Sequence, residues 1–160
     1  MEITVGIGDI KVVESSCLLK AIGLGSCIAT ALYDGETGIA GLAHLMLPYF
    51  DESQDKNNPA RFIDVGVGRM IEKMKKGGAL PSDIKAKIFG GANMFPDIIS
   101  SGSFLDVGKR NIQAVREELS KHSIDITAEE LGGRIGRSLT FDTKDGSVII
   151  TTAFSEMRNY

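Results

Sequence analysis

The chain has no tryptophan, two cysteines, two histidines and four prolines in 160 residues, and each scarcity excludes something. With only Cys17 and Cys27 available, at most one disulfide can form, so a small disulfide-stapled scaffold is ruled out. The N-terminal stretch MEITVGIGDIKVVESS carries an acid at Glu2 and no basic n-region ahead of an apolar run. No secretory signal is expected there, and a reduced cytoplasmic setting follows. Cys17, Cys27, His44 and His122 never fall at C-x-x-C or closely spaced histidine intervals, so neither a zinc site nor any other cofactor is expected. No apolar run approaches the ~20 residues that cross a bilayer, and membrane insertion is not expected. Net charge is −3, and the densest basic stretch (Arg69, Lys73, Lys75, Lys76) is interrupted by Glu72. It reads as the solvated face of a helix, and no nucleic-acid partner is expected.

What is present is the balance of a soluble globular domain, 42% hydrophobic and 24% charged, of a length that suits one domain over 1–160. ITVGIGDIKVV (3–13) and SCLLKAIG (16–23) are β-rich runs. CIATALY (27–33), the turn DGETG (34–38) and IAGLAHLML (39–47) read as one hairpin. After the polar loop 48–59, Asn58-Pro59 is placed to start a helix running to Lys76, with Ile63, Val67, Met70, Ile71 and Met74 on its inner face. Gly77-Gly78 stops it. DIKAKIF (83–89) is a strand leading into GGANMF (90–95) and a Ser/Gly-rich loop. A second helix is expected from Asp106 to about His122, with Ile112, Val115 and Leu119 inward. A strand (123–131) and a hairpin turned at Lys144-Asp145-Gly146 complete the chain. Hairpins outnumber helical crossovers, which predicts α+β: largely antiparallel sheets covered by two or three helices, with room for one parallel pair in the middle.

Cys27 follows Gly23-Leu24-Gly25-Ser26, and His44 lies on the returning arm of the same hairpin. A catalytic thiol needs a base, donors for the developing oxyanion, and something to fix the base. The glycine-rich turn brings the N–H groups of Gly25, Ser26 and Cys27 close to the thiol without side chains in the way. The 17-residue offset straddles a turn of unknown length, so parity does not place Cys27 and His44 on one face. A nucleophile with its base, and two small groups filling a core, both remain open on this reading. Gly6-Ile7-Gly8 and Gly23-Leu24-Gly25 do not continue into a phosphate-binding motif. Cys17 lacks the glycine setting and reads as core. His122 suits a helix C-terminus. Gly90-Gly91 permits close backbone approach.

GLGSC (23–27), AHLMLP (43–48), FGGANMF (89–95), GKRN (108–111) and LGGRIGRS (131–138) stand in the order and spacing of the CheD family of chemoreceptor glutamine deamidases, which the chain resembles over nearly its whole length. The resemblance implies a β-sandwich with helices outside it, akin to deamidating toxins of the cytotoxic-necrotizing-factor type. It implies hydrolysis of selected glutamine amides on the cytoplasmic helices of methyl-accepting chemoreceptors, and in some members of glutamate methyl esters. By position, Cys27 is the implied nucleophile and His44 the implied base. A CheC-type phosphatase is an implied partner, which makes a binding adaptor without catalysis the alternative reading. Gly90, Gly91, Met94, Phe95 and Phe104 are the expected partner or substrate surface. One departure stands out: the family places a threonine that helps orient the histidine where this chain has Ala21. A backbone carbonyl near Ala21 is therefore expected to hold the imidazole instead.

Overall fold

In the computed structural model, which describes residues 1–154 and 156–160, the short, β-branched-rich runs pair into two five-stranded sheets. The first, in spatial order, holds β1 (Glu2–Thr4), β3 (Leu18–Leu24), β8 (Arg137–Asp142), β9 (Val148–Thr152) and β10 (Met157–Asn159). The second holds β2 (Ile10–Val13), β5 (Ala40–Leu45), β4 (Ile28–Asp34), β6 (Ile84–Gly90) and β7 (Asp125–Leu131). Two helices, α1 (Ile63–Gly77) and α2 (Val107–Lys121), pack on the outer face of the second sheet. The architecture is α+β with three layers: helices, second sheet, first sheet.

Alternation along β4 explains the layering. Ile28 and Leu32 turn toward Val67, Met70, Ile71 and Leu119 on the helices. Ala29 and Ala31 turn the other way, toward Leu19, Leu139, Phe141 and Ile150 of the first sheet. Both faces of β4 are thus buried, and its alanines let the two sheets close on one another. Each fully buried Leu or Ile contributes roughly 1.5–3 kcal/mol, so these two cores carry the stability of the fold.

The 27–47 segment is the expected hairpin, with Ile28 paired to Leu45 and Tyr33 to Ala40. Four expectations need correction. The run 3–13 is not one strand: β1 and β2 lie in different sheets, and residues 5–9 cross between them. Asn58-Pro59 opens a single 3-10 turn (Pro59–Arg61) with Asn58 in the left-handed region, and α1 starts only at Ile63 with Phe62 as its N-cap. The sheets are largely antiparallel as expected, and β6 with β7 is the one parallel pair foreseen in the middle, joined through α2, but β1 with β3 forms a second parallel pair. A last strand, β10, pairs with β9 beyond the expected hairpin. The stops hold: Gly78 caps α1 and the Asp106 carboxylate accepts from the Lys109 N–H at the start of α2. No helix among the described residues is long and apolar enough to cross a membrane.

Candidate active site

Residues 25–27 are where the chain leaves the first sheet, at the end of β3, and enters the second, at the start of β4. Cys27 is largely buried but lines a cleft of about 410 Å³, together with Gly25, Ser26, Asn93, Met94 and Leu105. Neither cysteine is disulfide-bonded.

The hairpin register settles the parity. Ala29 opposes His44, and Ile28 opposes Leu45 at the last rung of the ladder. Cys27, two residues before Ala29 and packed in the same inter-sheet core, therefore shares a face with His44. His44 is 1% exposed and sits behind Cys27, outside the cleft lining. Its Nδ1 lies 3.2 Å from the Val5 carbonyl. A carbonyl can only accept, so Nδ1 carries the proton and Nε2 keeps its lone pair. Among the described residues, Nε2 has no hydrogen-bond partner.

The segment 5–9 holds this histidine by both its ring and its backbone. The Gly8 N–H donates to the His44 carbonyl at 2.7 Å, and the His44 N–H donates to the Asp9 carbonyl at 3.1 Å. Val5 is itself pinned to β3 by its N–H, which donates to Lys20 at 2.7 Å. The carbonyl on the imidazole is thus Val5's, not Ala21's. The parallel register of β1 with β3, Thr4 beside Lys20, brings Val5 alongside Ala21, whose own strand is committed to pairing with Leu139.

Burial pushes the Cys27 thiol above its ordinary value, only partly opposed by its own N–H. Burial also pushes the His44 imidazole down, opposed by the Val5 carbonyl and the Asp9 carboxylate. The pair rests as thiol and neutral imidazole. Around the thiol, carbonyls are occupied and N–H groups are free. Gly25 O accepts from Ala92 N–H at 2.9 Å, and Cys27 O from Gly91 N–H at 2.9 Å. Among the described residues, the N–H groups of Ser26 and Cys27 donate to no carbonyl and to no other side chain.

Gly90 and Gly91 are buried, so they do not belong to a binding surface. They are spacers. A Cβ on Gly90, at φ 112°, would lie 2.1 Å from the Cys27 carbonyl oxygen, and one on Gly91 would meet Ile112 at 2.6 Å. Met94, Phe95 and Phe104 are exposed, with Ile98 and Leu105 beside them in sequence, and Met94 covers Gly25. The Arg110 guanidinium stacks 4.2 Å over the Phe104 ring.

Two residues to which the sequence assigned no role, one of them in the Gly136-Arg137 pair that reads equally as turn or binding loop, fasten the backbone around the site. Asn111, fully buried on α2, donates through Nδ2 to Ser26 O at 2.8 Å and to Met46 O at 3.0 Å. Arg137, 8% exposed, donates to the carbonyls of Gly90 at 2.9 Å, Glu130 at 2.8 Å and Gly132, and pairs with the Glu130 carboxylate. Their signal in the sequence was a polar residue inside a motif (GKRN, LGGRIGRS), without any hint of what it bonds. No group of three or more His, Cys, Asp or Glu among the described residues is placed to hold a metal ion.

Against known proteins, a family model described as "CheD chemotactic sensory transduction" matches residues 46–152, a stretch that begins just after His44. A Clostridium tetani protein named "Probable chemoreceptor glutamine deamidase CheD" is 47% identical over 151 residues, 94% of this chain and 91% of its own. A Clostridium botulinum protein of the same name is 44% identical over 151 residues, 94% of this chain and 93% of its own. Among solved structures, YlmD from Geobacillus stearothermophilus superposes with a TM-score of 0.51 at 17% identity, over 78% of this chain and 50% of that one. This chain thus spans half the length of that structure, and the likeness is one of fold.

Proposed function

The chain belongs to the CheD family, and from that membership together with the Cys27 cleft we propose that it deamidates glutamine side chains of methyl-accepting chemoreceptors to glutamate. The observation that carries the reading is the placement of one thiol in the lining of a cleft, with an unprotonated imidazole nitrogen behind it and free N–H groups beside it. The exposed apolar side chains of 94–105 suit the apolar flank of a helix, while Ser26 and Asn93 in the cleft lining suit a primary amide.

The chemistry follows from the resting state. As the amide carbon meets the Cys27 sulfur, the thiol proton passes to His44 Nε2 and the S–C bond forms. The carbonyl oxygen takes up negative charge toward the Ser26 and Cys27 N–H groups. His44 then hands its proton to the amide nitrogen, ammonia departs, and a glutamyl thioester remains. Water attacks the thioester, giving its proton to His44. The tetrahedral species collapses to glutamate, and the thiol is restored. Throughout, the Val5 carbonyl keeps the ring in the tautomer that presents a lone pair at Nε2, the task a threonine side chain at position 21 would otherwise share.

The neutral resting pair favours a second reading, in which the same surface serves as an adaptor for receptors and a CheC-type phosphatase. Both readings place the protein in the cytoplasm, where receptor signalling helices lie. Mass spectrometry of a receptor cytoplasmic fragment separates them. Incubation with the wild type is expected to convert defined glutamines to glutamate, and Cys27→Ala to leave every one unchanged. Conversion by both proteins, or by neither, overturns the deamidase reading.

A further inference from the structure

Cys27 and His44 sit on arms that part company beyond the Ile28–Leu45 pair, the last rung of their ladder. Past that rung, the carbonyls of Ser26 and Met46 find one shared partner, the Asn111 side-chain NH₂, at 2.8 and 3.0 Å. Asn111 comes from α2, 85 residues away from Ser26. Its Oδ1 is buried without a partner among the described residues, so what the side chain contributes here is its two donors. In a trans peptide the C=O and the following N–H point in opposite directions. Fixing the Ser26 carbonyl on Asn111 therefore turns the Cys27 N–H away from the helix, toward the sulfur. The neighbouring peptide is fixed in the same manner, with Gly25 O held by the Ala92 N–H at 2.9 Å, which turns out the Ser26 N–H.

We infer that Asn111 is a positioning residue for acyl transfer at Cys27: by holding Ser26 O and Met46 O together, it aims the Cys27 N–H at the oxyanion and fixes the spacing between the nucleophile's arm and the base's arm. The inference rests on the acyl-transfer reading of the site. It assigns Asn111 no contact with substrate. It also gives the GKRN segment a role distinct from the apolar rim, since Arg110 points to Phe104 and Asn111 to the backbone beneath the thiol.

The test compares two reactions of the same sulfur. Acylation of Cys27 by p-nitrophenyl acetate passes through an oxyanion, whereas alkylation by iodoacetamide does not. Both are followed by mass spectrometry at Cys27. In Asn111→Ser and Asn111→Asp, acylation is expected to fall on the order of 10²-fold, the scale of one lost oxyanion donor. Alkylation is expected to change far less. Parallel loss of both rates marks a merely structural side chain and overturns the inference, as does loss of neither. Absence of acylation in the wild type overturns it too. Should the variants not fold, hydrogen exchange in the wild type decides: the Asn111 side-chain NH₂ protected and the Cys27 N–H unprotected support the inference, and the reverse pattern overturns it. A wild type that acylates with this Asn111 dependence but deamidates no receptor glutamine supports the inference while overturning the deamidase reading.

Discussion

The two ends of β3 each carry a cysteine facing the same inter-sheet core, and their backbones are in opposite states. At the first end, Cys17 is closed off. Its N–H donates to the Thr143 hydroxyl at 2.9 Å, and its carbonyl accepts from the Thr143 N–H at 3.0 Å. At the other end, Cys27 has its carbonyl held by Gly91 while its N–H and that of Ser26 stay free beside a cleft. Residue type and burial are nearly the same, 5% and 9% exposed. What makes one thiol a candidate nucleophile is donor groups left unspent, and a histidine behind. The glycines explain how that is built. At Cys17 a threonine side chain closes the turn, whereas at Cys27 only side-chain-free backbone fits against the peptide.

The largest expected effect on this contrast comes from His44. His44→Gln keeps a polar group against Val5 and removes the base, so deamidation is expected to drop by about 10²- to 10⁴-fold while the fold persists. Initial rates on a receptor fragment, alongside circular dichroism, give the answer, and an unchanged rate would make the Cys27 end as inert as the Cys17 end. Next comes Gly90→Ala. The added methyl would stand 2.1 Å from the Cys27 carbonyl, at a φ of 112° that L side chains rarely adopt. A loss of roughly 1–3 kcal/mol in denaturant unfolding is expected from the backbone conformation alone. Deamidation should fall with it, because the Cys27 peptide must move. Full retention of stability would show that close approach of β6 is not what shapes the site.

The smallest effect is a matter of pH. A thiol pushed above its ordinary value is protonated below that value, so the thiolate fraction grows as pH rises. Alkylation of Cys27 is expected to quicken about tenfold per pH unit between pH 6 and 8, with no plateau, while native Cys17 stays unlabelled. A plateau at neutral pH would reveal a thiolate already paired with His44 in the free protein. Labelling of both cysteines at one rate would erase the contrast between the two ends.

Much of the fold was legible because it is local. The hairpin 28–45, the apolar face of α1 from Ile63 to Met74, its stop at Gly78 and the Asp106 cap all rest on neighbours within a turn or two. Errors fell where short runs choose a sheet. Glu2–Thr4 and Ile10–Val13 have the same character, and only distant partners send them to different layers. Cys27 and His44 were visible as residues, but their common face waited on the register of the turn between them. Phe95 and Phe104 carried no mark of exposure in the sequence, since a phenylalanine in a loop reads equally as core or rim.

The sequence by itself determined the pieces: a glycine-flanked cysteine, a histidine on the returning strand, amphipathic helices of the right period, and a family pattern spread along the chain. Only the tertiary structure decided that Val5 rather than Ala21 holds the imidazole, that Gly90 and Gly91 are spacers instead of surface, and that Asn111 and Arg137 fasten the backbone around the thiol. The reason is physical. Periodicity and turn chemistry act between residues a few positions apart, whereas these contacts join residues 39, 85 and 47 positions apart and depend on how two sheets and a helix close on one another.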